Sequence, residues 1–238
     1  MIFHDPLIRG SLIKRYKRFL VDIELEDGSF ITAHCPNSGA MQGLTDPGIP
    51  VWVSRASNPS RKLPYTWQMA EVDGVFVGMN TANPNALVEE AIRSGVIGEL
   101  QDYQSMRREV AYGKNSRIDI LLENDNQKIY VEVKNVHMKR GKIAAFPSSV
   151  TARGAKHMRE LMDMVHLGHK AYVVYVVQRN DCEGFDLASD IDPVYAQTTL
   201  RALENGVEAL VYACDVSPNG ISIKNRLTIN LDPETSSG

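Results

Sequence analysis

The amino-acid sequence predicts a mixed α/β protein in which a small β-barrel precedes a mixed sheet flanked by helices. The first third of the chain joins short apolar strands through glycine turns, whereas the remainder alternates helical and strand patterns. With 238 residues, the chain suits one large domain or two smaller ones. We predict two domains, residues 1–80 and residues 81–238.

The first 80 residues carry closely spaced strand and turn signals. Apolar and polar residues alternate in several short segments, and Asp27-Gly28 and Asp73-Gly74 are turn signals between them. The expected strands are residues 20–25, 29–34, 51–54, 63–72 and 74–78. This spacing predicts an OB-like barrel, and an SH3-like barrel fits the same pattern nearly as well.

The second domain is expected to follow the order helix, three-stranded meander, helix, strand, helix, strand. Asn85 is expected to cap the first helix, and Gly95 to end it. The expected elements are a helix at 85–95, strands at 105–111, 117–122 and 128–136, a helix at 151–165, a strand at 172–177, a helix at 197–205 and a last strand at 209–213. This order gives a mixed sheet with flanking helices. Residues 235–238 are expected to form a frayed tail.

Composition argues against several classes of protein. No apolar run approaches the roughly 20 residues that a membrane span needs, and the first residues lack the pattern of a signal peptide. The three cysteines, Cys35, Cys182 and Cys214, are far apart and contain no CxxC spacing, which argues against a zinc knuckle or a redox pair. Free thiols in a reducing cytoplasm are therefore expected.

Charge is unevenly distributed along the chain. Residues 1–160 hold 21 Lys and Arg against 18 Asp and Glu, whereas residues 161–238 hold 5 against 11. A surface that faces phosphate is therefore expected in the first two thirds. An ordinary solvated surface explains the same counts, so charge alone does not decide the matter.

The predicted meander contains the motif that carries chemistry. Successive side chains of a strand point to opposite faces, so Asp119 shares a face with Arg117, while Ile118, Ile120 and Leu122 form the opposite, apolar face. In the next strand, Glu132 and Lys134 share a face in the same way, with Val131 and Val133 turned towards the core. A short loop joins the two strands and allows Asp119 and Glu132 to approach each other.

Two carboxylates in a buried sheet repel each other unless a cation compensates them. Mg²⁺ or Mn²⁺ is expected at Asp119 and Glu132, with the Val133 carbonyl as an additional candidate ligand. Lys134 would then help to deprotonate a water or stabilise charge on a phosphate, so Asp119, Glu132 and Lys134 are the candidate catalytic residues. A surface hairpin with a solvated ion pair is the alternative interpretation.

The order of elements around this motif matches the PD-(D/E)xK nuclease fold: helix, strand with Asp, strand with (D/E)xK, helix, strand. The helix before the motif often supplies a further acidic ligand in that fold. Glu89 and Glu90 are the candidates here, and we choose Glu90. An ordinary exposed helix carboxylate is the competing interpretation for either residue.

The whole chain resembles the sugar fermentation stimulation protein family of bacteria. The segments that carry the resemblance are residues 15–20 (RYKRFL), 34–41 (HCPNSGAM), 65–67 (YTW), 116–119 (SRID), 130–136 (YVEVKNV), 146–147 (FP) and 151–157 (TARGAKH). The resemblance implies an OB-like domain joined to a PD-(D/E)xK nuclease-like domain, and DNA binding without strong sequence preference. It also implies a proposed regulatory role in the utilisation of sugars, notably maltose.

Residue types suited to phosphate occur in the N-terminal part. Lys14, Arg15, Lys17 and Arg18 are expected to precede the first barrel strand and to follow a DNA backbone, with Tyr16 and Phe19 as stacking platforms. Solvated basic residues and a core Phe19 are the alternative. Asn37 lies in a loop with donors that suit phosphate, although a purely structural turn is the competing interpretation.

The helix after Lys134 offers a second group of basic side chains. Arg153, Lys156 and His157 are spaced three and four residues apart, which places them on one helix face beside the metal site. Together with Arg117, they are expected to contact DNA.

The sequence therefore predicts a DNA-binding protein with a nuclease-type metal site. The main alternative is an active Mg²⁺-dependent nuclease, and a purely structural module would leave the motif unexplained. DNA is the expected partner, no membrane association is expected, and a homodimer is left open.

Overall fold

The computed structural model describes residues 1–58 and 60–230, so the tail expected at 235–238 lies outside the described residues. The first part consists of six strands: β1 (Ile8–Tyr16), β2 (Leu20–Leu25), β3 (Phe30–His34), β4 (Pro50–Arg55), β5 (Tyr65–Val72) and β6 (Val75–Gly78). The sheet order is β3-β2-β1-β4-β5-β6. A pair between His34 and Thr66 joins β3 to β5 and closes a five-stranded barrel. The predicted OB-like barrel is confirmed.

The first strand of the barrel differs from the prediction. Lys14 and Arg15 were expected ahead of the first strand, and this is wrong because both lie within β1. Gly10 conceals the strand in the sequence, since glycine disfavours strands. A Cβ at Gly10 would lie 2.5 Å from Cγ2 of Ile23, so the close approach of β1 to β2 requires glycine.

The second part begins with a helix and ends with a short strand. Its elements are α1 (Asn83–Arg93), a 3₁₀ turn (Gly98–Leu100), β7 (Ser105–Tyr112), β8 (Ser116–Glu123), β9 (Lys128–Val136), β10 (Lys139–Arg140), β11 (Ile143–Phe146), α2 (Ala152–His166), β12 (Lys170–Val177), β13 (Gly184–Leu187), α3 (Pro193–Glu204), β14 (Glu208–Ser217), β15 (Gly220–Arg226) and β16 (Thr228–Asn230). The last strand is therefore not the predicted 209–213 segment, which forms part of β14. None of the described helices has the length and apolar character needed to cross a membrane.

The large sheet has the order β15-β14-β12-β9-β8-β7. Its centre is parallel, because β12 pairs in parallel with both β9 and β14, and its two edges are antiparallel. A smaller sheet, β10-β11-β13-β16, covers residues that the prediction left without structure. The mixed sheet flanked by helices is thus confirmed, and it places the candidate motif on β8 and β9.

Helix α1 starts earlier than predicted. It begins at Asn83, and Pro84 occupies its first turn, where a missing backbone N–H costs nothing. Asn85 therefore lies inside the helix and is not its cap. This shift frees the Asn85 side chain for a contact with the sheet.

The two faces of the large sheet bury separate cores. Leu121 and Tyr130 pack beneath α2 and α3, whereas Ile120 and Val131 pack on the opposite face with α1. Ile118 joins the core beneath α2, so the prediction that it shares a face with Ile120 is wrong. The strict alternation of β8 is interrupted at Asp119, between these two residues.

Candidate metal and nucleic-acid site

Asp119 and Glu132 face each other where strands β8 and β9 separate. The backbone pairing of these strands ends at Ile120 and Val131, so the next opposed residues are Asp119 and Glu132. The backbone N–H of Val133 donates instead to Oδ2 of Asp119 at 2.8 Å. A side chain thereby replaces the strand ladder at the point where the two carboxylates meet.

The carboxylate of Asp119 is held from two directions. Its Oδ1 accepts a hydrogen bond from Nδ2 of Asn85 on α1 at 2.9 Å, and its Oδ2 accepts the Val133 bond. Burial and then the neighbouring charge of Glu132 raise the pKa of Asp119, while the two hydrogen bonds and Lys134 act in the opposite direction. The ionised form of Asp119 is therefore costly without a further positive charge.

Glu132 lies deeper in the protein and has the stronger cationic partners. Its Oε1 accepts hydrogen bonds from Nζ of Lys134 at 2.6 Å and from Nδ1 of His157. Burial raises the pKa of Glu132, but Lys134 and His157 outweigh burial, and the pKa falls below its ordinary value. The other oxygen, Oε2, is buried without a hydrogen-bond partner among the described residues.

His157 links Glu132 to Arg153 and is buried. Nε of Arg153 donates to Nε2 of His157 at 3.2 Å, so Nε2 is the acceptor and Nδ1 carries the proton given to Glu132. His157 was expected to contact DNA, but its two ring nitrogens are engaged within the protein. It orients Arg153, an exposed residue in the first turn of α2.

The structure does not bring Glu90 to this site. Its carboxylate lies 2.6 Å from the amino group of Met1, and its side chain is 54% exposed. Glu90 lies five residues after Asn85, so its side chain is rotated by about 140° from that of Asn85 around the helix axis. This rotation directs Glu90 away from Asp119. Asn85 occupies the position expected for an acidic ligand. Pro84 was the feature of the sequence that could have shown this, because a proline in the first turn indicates that the helix begins before Asn85.

The oxygen donors suit a hard cation that keeps part of its water shell. Among the described residues, no group of three or more His, Cys, Asp or Glu side chains is arranged to hold a metal ion. The half-buried Asp119 and the buried Glu132 nevertheless supply two carboxylates, and Oε2 of Glu132 has no hydrogen-bond partner among the described residues. Mg²⁺ is commonly held by one or two carboxylates together with several waters, so the residues present fit such an ion.

Lys156 and Arg117 differ in their availability to DNA. Nζ of Lys156 donates to the backbone carbonyl of Lys114 at 2.7 Å, so part of its bonding capacity is used inside the protein. Arg117 is exposed on β8, and among the described residues it has no ion-pair partner within reach. Arg117 and Arg153 are therefore the freer cations near the carboxylates.

The hairpin between β1 and β2 ends in an exposed tip, residues 17–19. Lys17 and Arg18 both adopt left-handed backbone conformations and are exposed. Phe19 is 51% exposed, which excludes the alternative that it is a core residue. Arg15 lies below the tip, and its Nη2 donates to the carbonyls of Arg18 at 3.1 Å and Asn37 at 2.9 Å. Arg15 therefore braces the tip.

Asn37 is a buried residue with a structural contact and is not exposed to DNA. It is buried, and its Nδ2 lies 3.5 Å from Nδ1 of His137, which follows β9. The contact joins the barrel to the second part of the chain. The competing interpretation of residues 36–39 as a structural turn fits this burial.

The fold and the site define a class of protein: an OB-type barrel joined to a PD-(D/E)xK nuclease-like sheet with two opposed carboxylates. Residues 82–220 match the family described as "Sugar fermentation stimulation protein RE domain", and residues 13–79 match the "SfsA N-terminal OB domain". The chain belongs to the sugar fermentation stimulation protein family.

Relatives cover nearly the whole chain. A sugar fermentation stimulation protein homolog of Paramagnetospirillum magneticum is 55% identical and covers 97% of this chain and 98% of its own length. A homolog of Rhodospirillum centenum is 54% identical over 97% of this chain and 100% of its own length. The solved structure of Pyrococcus furiosus SfsA in complex with Ca²⁺ is 24% identical, with a TM-score of 0.89 over 97% of this chain and 98% of that one. It shares the fold.

The pH dependence of stability should report on His137. Burial and then Arg179 and Arg15 lower the pKa of His137 from 6.5 to about 4. Between these values the unfolded chain binds the proton and the folded protein does not, so the free energy of unfolding falls as pH drops from 6.5 to 4. We expect a loss of about 3 kcal/mol from this residue.

Urea denaturation of the wild type and of His137→Asn at pH 7 and pH 4 measures this loss. The variant should lack that part of the acid destabilisation, whereas His4→Asn, which changes an exposed histidine, should retain it. Equal acid sensitivity of wild type and His137→Asn would contradict the assignment.

Proposed function

We propose that this protein binds DNA without strong sequence preference and holds a divalent cation, Mg²⁺ or Mn²⁺, at Asp119 and Glu132. The observation that carries the proposal is the opposition of the half-buried Asp119 to the buried Glu132, whose Oε2 has no hydrogen-bond partner among the described residues. A cation between them would offset their repulsion. The solved structure of Pyrococcus furiosus SfsA is a complex with Ca²⁺, which is in keeping with a divalent site in this family.

The residues around the carboxylates suit a phosphate group. The cation, when bound, supplies positive charge and Lewis acidity at the site. Lys134 lies on the same side of β9 as Glu132, at 2.6 Å from it, and its side chain is 12% exposed. Arg153, an exposed residue, donates a hydrogen bond to His157. Arg153 would bind the DNA backbone, whereas Lys134 would face the phosphate at the carboxylates and act mainly on charge that develops there.

The barrel supplies the second part of the proposed DNA interface. Its hairpin tip presents Phe19 directly after Lys17 and Arg18, and Arg15 holds the tip against the loop that contains Asn37. An aromatic ring beside cations suits an unpaired base and its phosphates. We retain residues 1–80 as the barrel domain and 81–238 as the nuclease-like domain. Sugar-utilisation genes as targets, a homodimer and a cytoplasmic location stay predictions.

Cleavage of DNA is the second candidate function. The close pair of Lys134 and Glu132 favours it, because a lysine beside a metal-binding carboxylate is placed to stabilise charge that develops on a phosphate. We prefer the interpretation that the protein binds DNA without cleaving it, since the family resemblance implies binding more directly than hydrolysis.

The metal site is tested by replacing Asp119. We expect wild-type protein to bind one Mn²⁺ in calorimetry and Asp119→Ala to lose that binding, because one of the two carboxylate ligands is gone. Glu90→Ala removes the same charge from a carboxylate that pairs with the amino terminus, and it should bind as wild type does. Equal Mn²⁺ affinity of wild type and Asp119→Ala would contradict the site.

DNA binding by the barrel is tested at Phe19. Phe19→Ala should weaken binding of a single-stranded oligonucleotide by about 1–3 kcal/mol, the usual contribution of one stacked base. Fluorescence anisotropy at one fixed salt concentration measures this change, because phosphate contacts make affinity depend on salt. Phe30→Ala is the matched control, since Phe30 is 70% exposed at the far end of β2 and β3. If both variants lose DNA affinity to a similar extent, or if neither does, the hairpin tip is not a DNA-binding surface.

Lys134 distinguishes binding from cleavage. On the preferred proposal, wild-type protein with Mg²⁺ or Mn²⁺ leaves single-stranded, duplex and branched DNA intact. If it cleaves, Lys134→Ala should abolish cleavage while leaving DNA affinity nearly unchanged, because this lysine acts mainly on charge in the transition state. Gel assays with identically purified proteins decide, and metal-dependent cleavage lost in the variant would establish the nuclease.

A further inference from the structure

The strand ladder does not fix the separation of Asp119 and Glu132. Pairing between β8 and β9 ends at Ile120 and Val131, and the pairs between β7 and β8 pass over Asp119. The bond from Val133 to Asp119 is the link between the strands at this level. The two carboxylates therefore need support from another element.

Helix α2 reaches both strands from one face. His157 contacts Glu132 on β9, and Glu160 follows one turn later on the same face of the helix. Glu160 is 5% exposed, and its Oε1 accepts a hydrogen bond from the backbone N–H of Lys114 at 3.0 Å. Lys114 lies in the turn at residues 113–115, which joins β7 to β8 and so precedes Asp119.

The turn is shaped around the Glu160 carboxylate. Gly113 has a φ of +54°, and a Cβ there would lie 2.8 Å from Oε1 of Glu160. Lys156 binds the same turn through the carbonyl of Lys114 at 2.7 Å, and its Nζ lies 3.6 Å from Oε1 of Glu160. Side chains of α2 thus bind both the backbone N–H and the backbone carbonyl of Lys114.

We propose that Glu160 is a positioning residue that sets Asp119 opposite Glu132. It fixes the start of β8 to the same helix that holds Glu132 through His157, so α2 sets the distance that the ladder leaves open. The consequence for cation affinity rests on the proposed function. The position of Asp119 does not, and it can be measured in metal-free protein.

The Val133 amide reports the position of Asp119, because its hydrogen is donated to Oδ2 of Asp119. In metal-free Glu160→Ala, we expect hydrogen exchange at Val133 to quicken about tenfold, as loss of one hydrogen bond allows. Glu160→Gln retains an acceptor oxygen and should exchange as wild type does. The Val174 amide, at the centre of β12, is the control for global unfolding and should not change.

Mn²⁺ affinity provides the second measurement. Residues that support the ligands of a metal site commonly contribute about 10–100-fold to affinity. We therefore expect Glu160→Ala to bind Mn²⁺ about tenfold more weakly than wild type, and Glu160→Gln to bind it nearly as well as wild type. Glu160→Asp, whose shorter side chain falls short of Lys114, replaces Glu160→Ala if the latter does not fold, with the same expected losses.

Unchanged exchange at Val133 in Glu160→Ala overturns this inference, and so does equal quickening at Val174, which would make Glu160 a general stabiliser. Equal losses in Glu160→Ala and Glu160→Gln also overturn it. A wild-type protein that binds no Mn²⁺ refutes the proposed cation site instead, and the exchange at Val133 still decides the role of Glu160.

Discussion

The opposition of Asp119 and Glu132 inside a sheet is the constraint on which the site depends. Each carboxylate makes ionisation of the other more costly, and the surrounding residues offset that cost unequally. Lys134 and His157 lower the pKa of Glu132 below its ordinary value despite burial, whereas burial and Glu132 raise the pKa of Asp119, whose hydrogen-bond donors are neutral. Asp119 is therefore the group that gains most from a cation, although Glu132 is the more buried of the two.

Much of the basic surface expected from the sequence serves to hold other groups in place. Arg15 braces the hairpin tip, His157 orients Arg153, and Lys156 secures the turn before β8. Residues of this kind supply orientation, because a cation already bound to a carbonyl or a ring has fewer donors left for phosphate. The exposed groups that remain lie on the hairpin tip, residues 17–19, and at Arg117 and Arg153.

The barrel and the sheet are joined through polar contacts that are themselves buried. Asn37 meets His137, and the backbone N–H of Gly78 donates to the carbonyl of Gln178 at 2.8 Å. A Cβ at Gly78 would lie 2.4 Å from Oε1 of Gln178, so glycine permits the two parts to pack closely. Neutral His137 suits this junction, since a buried charge there would lie near Arg15 and Arg179.

The sequence by itself determined the barrel, the order of the helices and of the central strands, and the opposition of Asp119 to Glu132, because strand alternation and turn signals are local. It did not reveal β15 or the small sheet β10-β11-β13-β16. Tertiary structure alone decided which helix side chains reach that pair. Helix α1 begins two residues earlier than expected, and Asn85 rather than the expected Glu90 reaches Asp119. Glu160 gave no local signal, because its partner is a backbone N–H 46 residues away, and only packing of α2 on the sheet brings the two together.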